Sequence, residues 1–211
     1  ALDAAAKTAK AAGDQRSRGQ IMADTLVARL TGQEAADDTG FDALWTIEHH
    51  FTPYTMVTNP LQYLTYVAGI TKRVDLGTMV TVLPWHNPVR VAEDVNMLDT
   101  FLGPKREIIC GVGRGLGRRE YEGLSIDQGE ARERFDESLQ VLNMLLATGK
   151  CDFDGKHYQL QGLRLTPPPL QRPRPPLWVG GFAPAAARHQ QSGRGDHGIC
   201  PGANGKEGAK G

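Results

Sequence analysis

Val74-Asp-Leu-Gly-Thr-Met-Val-Thr-Val-Leu-Pro84, followed at once by Trp85-His-Asn-Pro-Val-Arg-Val-Ala-Glu-Asp-Val-Asn-Met-Leu-Asp99, reads as a strand and a helix in direct succession. The first part is rich in β-branched residues and stops at a proline, which cannot continue a ladder. Asn87 then offers an N-cap and Pro88 the first helical position, and Val91, Val95, Leu98 and Leu102 recur at helical spacing. The same succession repeats on both sides. Upstream, the turn-formers Asp37 to Gly40 precede a bulky apolar run, Phe41 to Ile47, and Asn59-Pro60 opens a helix with Leu61, Leu64 and Ala68 on one face. Downstream, Gly103-Pro104 ends the helix before Glu107-Ile-Ile-Cys-Gly111, a short apolar run that leads into Val112-Gly-Arg-Gly115. Ala131 to Thr148 carries a stripe of Phe135, Leu139, Leu142 and Leu146, with Gly149 placed to cap its end. Residues 150 to 175 read as an excursion with alternating apolar positions at Tyr158 and Leu160, then an extended proline-rich connection from Pro167 to Pro176. Leu177 to Gly181 is one more strand. Alternating strands and helices predict an α/β fold with a parallel sheet, and a barrel gathers the carboxyl ends of its strands on one face. His49, Pro84, Arg114 and Gly181 are therefore expected to line one pocket.

Composition agrees with that class. The 211 residues carry 24 Lys and Arg against 24 Asp and Glu, with 40% hydrophobic content, so nothing biases the chain toward nucleic acid or membrane. No apolar run approaches about 18 residues and no basic-then-apolar leader opens the sequence, so the expectation is a soluble, cytoplasmic protein. Cys110, Cys151 and Cys200 have neither CxxC spacing nor an even framework, and Cys110 falls inside an apolar run as a small core residue.

Glu48-His49-His50 sets two imidazoles beside a carboxylate, the groups needed for proton transfer near neutral pH. Strand neighbours point to opposite faces, so one of the two histidines is expected to be structural. No HExxH or cysteine set completes a zinc site, and no metal is expected. Gly111-Val-Gly-Arg-Gly115 combines flexible backbone with a single guanidinium and can hold an anion such as a cofactor phosphate; taken alone it better suits a surface turn. Trp178-Val-Gly-Gly181 ends in glycines that leave room for a flat ring or simply allow a turn.

From Gly40 to about Arg188 the chain resembles the luciferase-like, flavin-dependent monooxygenases. Four blocks carry the resemblance: Gly40-Phe-Asp-Ala-Leu-Trp45 with Glu48-His-His-Phe51, Leu76-Gly-Thr78 with Val82-Leu-Pro84, Asn87 to Asp99, and Gly111-Val-Gly-Arg-Gly115. Pro175-Pro-Leu-Trp-Val-Gly-Gly181 adds to them. The resemblance implies a TIM barrel that uses reduced FMN and molecular oxygen to oxidise a small organic substrate, with a separate flavin reductase as donor and a homodimer as the assembly. It implies His49 as the catalytic histidine near the flavin's reactive edge. It also implies Glu93 and Arg114 around the cofactor, with Arg114 at the phosphate. Met79-Val80 would form a non-proline cis peptide beneath the ring, and Gly180, Gly181, Phe182 and Ala183 would supply bordering backbone. A deazaflavin (F420)-dependent oxidoreductase is the alternative reading, and an inactive half-barrel serving as a binding module is another.

The sequence departs from the family pattern at three places. Leu102-Gly-Pro-Lys-Arg106 reads as a longer connection, which loops tolerate. Residues 1 to 33 lack the opening strand, and residues 2 to 32 instead resemble a helical module found upstream of HNH nuclease domains. After Arg188 the chain becomes glycine-rich. The expected organisation is thus a foreign helical segment at 1–33, a partial barrel at 34–188 without its first and sixth to eighth strands, and a disordered, strand-free tail at 189–211.

Overall fold

The computed structural model describes residues 2–13, 41–181 and 199–201. In chain order its elements are α1 (Leu2–Ala11), β1 (Ala43–Thr46), α2 (Pro60–Ile70), β2 (Asp75–Thr78), β3 (Thr81–Val82), α3 (Pro88–Leu102), β4 (Ile108–Gly113), α4 (Arg118–Gly123), α5 (Ala131–Thr148), β5 (Lys150–Asp154), β6 (Gln159–Arg164), β7 (Leu177–Gly181) and β8 (Ile199–Pro201). The sheet runs β1-β2-β4-β7-β8 with every pair parallel, and β3 also pairs with β4. Parallel neighbours joined through helices are the α/β architecture of a barrel wall, open here to the extent that it is described.

The helices begin where the sequence places them. Asn59 and Asn87 each accept a backbone N–H two or three residues on, with Pro60 and Pro88 at the first turn. Gly149 adopts φ 70° at the end of α5, the left-handed conformation that costs glycine least. Their apolar faces meet the strands: Leu64 and Val67 of α2, Val95 and Leu98 of α3, and Leu142 and Leu145 of α5 are fully buried against Leu76, Ile108, Cys110, Val112 and Leu177. At about 25 cal/mol per Å² of apolar surface, this layer is the main stabilising term of the fold.

Three expectations change. The run from Val74 to Leu83 is not one strand but two, β2 and β3, separated by Met79-Val80, whose peptide bond is cis. Met79 N–H donates to Thr46 O of β1 at 2.7 Å, whereas β3 pairs with β4 through Thr81 with Val112 and Val82 with Gly113. Second, the excursion after α5 contains an antiparallel hairpin, β5 with β6, tied down by Glu137, which accepts the backbone N–H groups of Lys156, His157 and Tyr158. Third, the tail expected to hold no strand contributes β8, which extends the sheet beyond β7. The rest of that tail lies outside the described residues. So does most of the proposed amino-terminal module, of which the described part is α1 and the two residues after it.

Inside the wall, Trp45 of β1 and Trp178 of β7 stack with ring centroids 5.1 Å apart, although β2 and β4 lie between their strands. Part of the space comes from glycine: a Cβ on Gly77, in register with Trp45, would overlap the Trp45 ring.

Candidate active site

Above the indole pair lies Val80. A Cβ on Gly113 would stand 2.5 Å from Val80 Cγ2, and one on Gly180 would stand 2.8 Å from Val80 Cγ1. Only glycine at both positions therefore lets the Val80 side chain seat between β4 and β7. Met79, on the other side of the cis bond, is 41% exposed. The next residue after β4 is Arg114, whose side chain is exposed and whose guanidinium has no hydrogen-bond acceptor among the described residues. An apolar step beside an unpaired cation is a surface that fits a flat ring carrying a phosphate.

His49 lies just past β1. Its ring meets Tyr54 edge-on at 4.9 Å, and Nδ1 is 3.0 Å from Glu120 Oε1. Its side chain keeps 38% of its surface exposed, against 6% for Glu120. The same oxygen accepts the backbone N–H of His50 at 2.8 Å. Tyr121, the next residue of α4, donates its hydroxyl to Arg114 O and packs edge-on against Trp85. One turn of α4 thus holds both the histidine and the backbone of the arginine.

Glu48 forms a second centre. Its side chain is fully buried, Oε2 accepts the Val82 N–H at 2.8 Å, and Oε1 faces Nε2 of both His50 (3.0 Å) and His86 (2.6 Å). A buried carboxylate needs such partners, since an unpaired one is costly. Among the described residues, no group of three His, Cys, Asp or Glu side chains is arranged to hold a metal ion, and no helix is long and apolar enough to cross a membrane.

The residues expected from the sequence therefore divide. Met79, Val80, Gly180 and Arg114 gather at the carboxyl ends of β2, β4 and β7, and His49 reaches the same end through Glu120. Gly181 ends β7 in register with Pro201. Glu93 stands apart on α3, its carboxylate paired with Arg90 at 2.9 Å in a groove shared with Thr166 and Pro167. Phe182 and Ala183 lie outside the described residues. Of the two adjacent histidines, His50 turns its ring to Glu48 and His49 to Glu120. Glu120, Tyr121 and His86 were not singled out from sequence; the one local signal was Gly117 at the start of a short helix after β4. A cavity of about 760 Å³ opens at the other end of the wall between Gly103 to Glu107 and Leu170 to Pro176.

Burial also moves two acid groups. The Cys110 thiol and the Tyr121 phenol are both pushed up to about 12 by desolvation. An unfolded chain releases these protons from near 9 and near 10, respectively. Stability from these groups is thus fully present below about pH 9 and lost as pH rises toward 12, because the unfolded state then binds fewer protons. Urea midpoints should fall steadily above pH 9; a midpoint unchanged between pH 9 and 11 would contradict the burial assigned to both groups.

Comparison with known proteins agrees with the α/β barrel-type fold. The family model described as luciferase-like monooxygenase matches residues 8–207. The chain is 35% identical over 170 residues to the uncharacterised protein y4wF of Sinorhizobium fredii, an alignment that covers 81% of this chain and 49% of that protein. It is 33% identical over 173 residues to the oxygenase component of the flavin-dependent trigonelline monooxygenase of Acinetobacter baylyi, covering 81% and 46%. Among solved structures, monooxygenase RslO1 from Streptomyces bottropensis superposes with a TM-score of 0.75 at 28% identity, over 88% of this chain and 54% of that one. The chain spans about half the length of the curated relatives it matches.

Proposed function

The chain belongs to the luciferase-like monooxygenase family, and we propose that it binds reduced FMN at the carboxyl ends of its strands and oxidises a small organic substrate with molecular oxygen. The observation that carries this reading is the grouping of an Arg114 guanidinium unpaired among the described residues, a Val80 step seated on Gly113 and Gly180, and a half-exposed His49. Arg114 would hold the phosphate, Met79 and Val80 would support the ring, and Gly180 and Gly181, with Phe182 and Ala183, would border it. Glu93 has the least geometric support of the set, being paired with Arg90. When bound, the reduced flavin supplies the electrons that activate oxygen. His49 would then hold or move a proton at the ring nitrogen that does not face Glu120. The relative from Acinetobacter baylyi is named as an oxygenase component, which supports a separate flavin reductase as this chain's donor. A homodimer is the assembly proposed; Tyr66 of α2 and Met97 and Phe101 of α3 are exposed apolar residues on neighbouring helices that it would cover.

The test is a titration of the wild-type chain and Arg114→Ala with FMN, riboflavin and F420. Charge-assisted hydrogen bonds contribute about 1.5 to 3 kcal/mol, so Arg114→Ala should weaken FMN by about 10- to 100-fold and riboflavin hardly at all. Equal losses for FMN and riboflavin would remove Arg114 from the phosphate, and tighter binding of F420 than of FMN would assign the deazaflavin alternative.

A further inference from the structure

We propose that Glu120 is the positioning residue for His49: it fixes the imidazole with its proton on Nδ1 and leaves the lone pair on Nε2. The inference rests on the reading that His49 faces the cofactor, but the geometry is local. Glu120 Oε1 accepts the backbone N–H of His50, a group that can only donate, at 2.8 Å. The same oxygen lies 3.0 Å from His49 Nδ1. An oxygen already acting as an acceptor there calls for a donor on the imidazole, and a neutral imidazole that donates from Nδ1 has its lone pair on Nε2. The ring is thereby set as a proton acceptor at the nitrogen facing away from α4. A carboxylate that orients the base is the arrangement general to proton-transferring sites.

Two further features show that the position of Glu120 is built. A Cβ on Gly117, the residue that opens α4, would overlap Glu120 Oε2, so any other residue there would displace the carboxylate. Glu120 itself is 4% exposed, while its neighbour Tyr121 is held through its hydroxyl to Arg114 O. The short helix thus sets the tautomer of His49 and the path of Arg114 together, and a shift of one would be felt by the other.

Long-range ¹⁵N–¹H correlation spectra of the full chain labelled at histidine read the tautomer directly, with His49→Gln assigning the His49 signals. Wild type and Glu120→Gln should both show the Nδ1–H pattern at His49, since an amide oxygen can accept the same two bonds. Glu120→Ala should lose that pattern. A wild-type His49 protonated on Nε2 alone would overturn the proposal whether or not the variants fold, as would an unchanged Nδ1–H pattern in a folded Glu120→Ala. FMN titrated in the same samples separates the two ideas. Absent flavin binding with the Nδ1–H tautomer present would count against the proposed function and leave the role of Glu120 standing.

Discussion

Glu48→Ala should destabilise the chain by about 2 to 4 kcal/mol, because one buried side chain satisfies three groups. The Val82 N–H would lose its acceptor in a place where Val82 is 4% exposed and no water reaches it easily. That group alone accounts for about 1 to 3 kcal/mol. The imidazoles of His50 and His86 keep 14% and 26% of their surface and can turn partly to solvent, so their share is smaller. The damage would extend to the site, since Val82 follows the Met79-Val80 step and Glu48 ties it to the end of β1. Glu48→Gln keeps an acceptor for Val82 and should cost about half as much. Urea denaturation of the three proteins checks this; a loss below about 1 kcal/mol for Glu48→Ala would mean that the carboxylate is not holding the segment.

A change of similar size is expected at Gly111. There a Cβ would overlap the carbonyl oxygen of Thr78, whose hydroxyl also donates to Gly111 O at 2.6 Å. The obstacle is backbone at the very place where β2 gives way to the cis bond, so a rotamer change cannot relieve it. Gly111→Ala should therefore cost about 3 kcal/mol, the upper part of the range for overpacked cores. Gly69 is the internal control. It is exposed within α2, a Cβ there meets nothing within 4 Å, and Gly69→Ala should raise stability by up to about 1 kcal/mol. Comparable melting temperatures for the two variants would contradict the close approach assigned to Gly111.

The parts of this fold legible from sequence are those decided by local chemistry. Asn59-Pro60 and Asn87-Pro88 announce their helices because cap and first turn need only neighbouring residues. The stripe on α5 and the glycine after it work in the same way. The break inside Val74 to Leu83 was not legible from periodicity, because alternation along a run does not reveal that Met79 bonds back to β1 while Thr81 turns to β4. Resemblance, not pattern, pointed to that step. Glu120 was hidden for another reason: it meets His49 across 71 positions of chain, and nothing in Arg118-Arg-Glu-Tyr121 sets its carboxylate apart from an exposed helical one. The hairpin of β5 and β6 depends in turn on Glu137, a helix residue whose carboxylate collects three N–H groups from a turn. The tail, rich in glycine, gave no sign of β8 because three residues are too few for a period to be read.

The cofactor is proposed to bind at the carboxyl ends of the strands, whereas a cavity of about 760 Å³ lies at the opposite end of the wall. A crystal structure of the chain with FMN decides between them. The flavin ring is expected against Met79 and Val80, with the phosphate at Arg114 and His49 on the same face. FMN found between Gly103 to Glu107 and Leu170 to Pro176, or bound without contact to Arg114, would contradict the central claim.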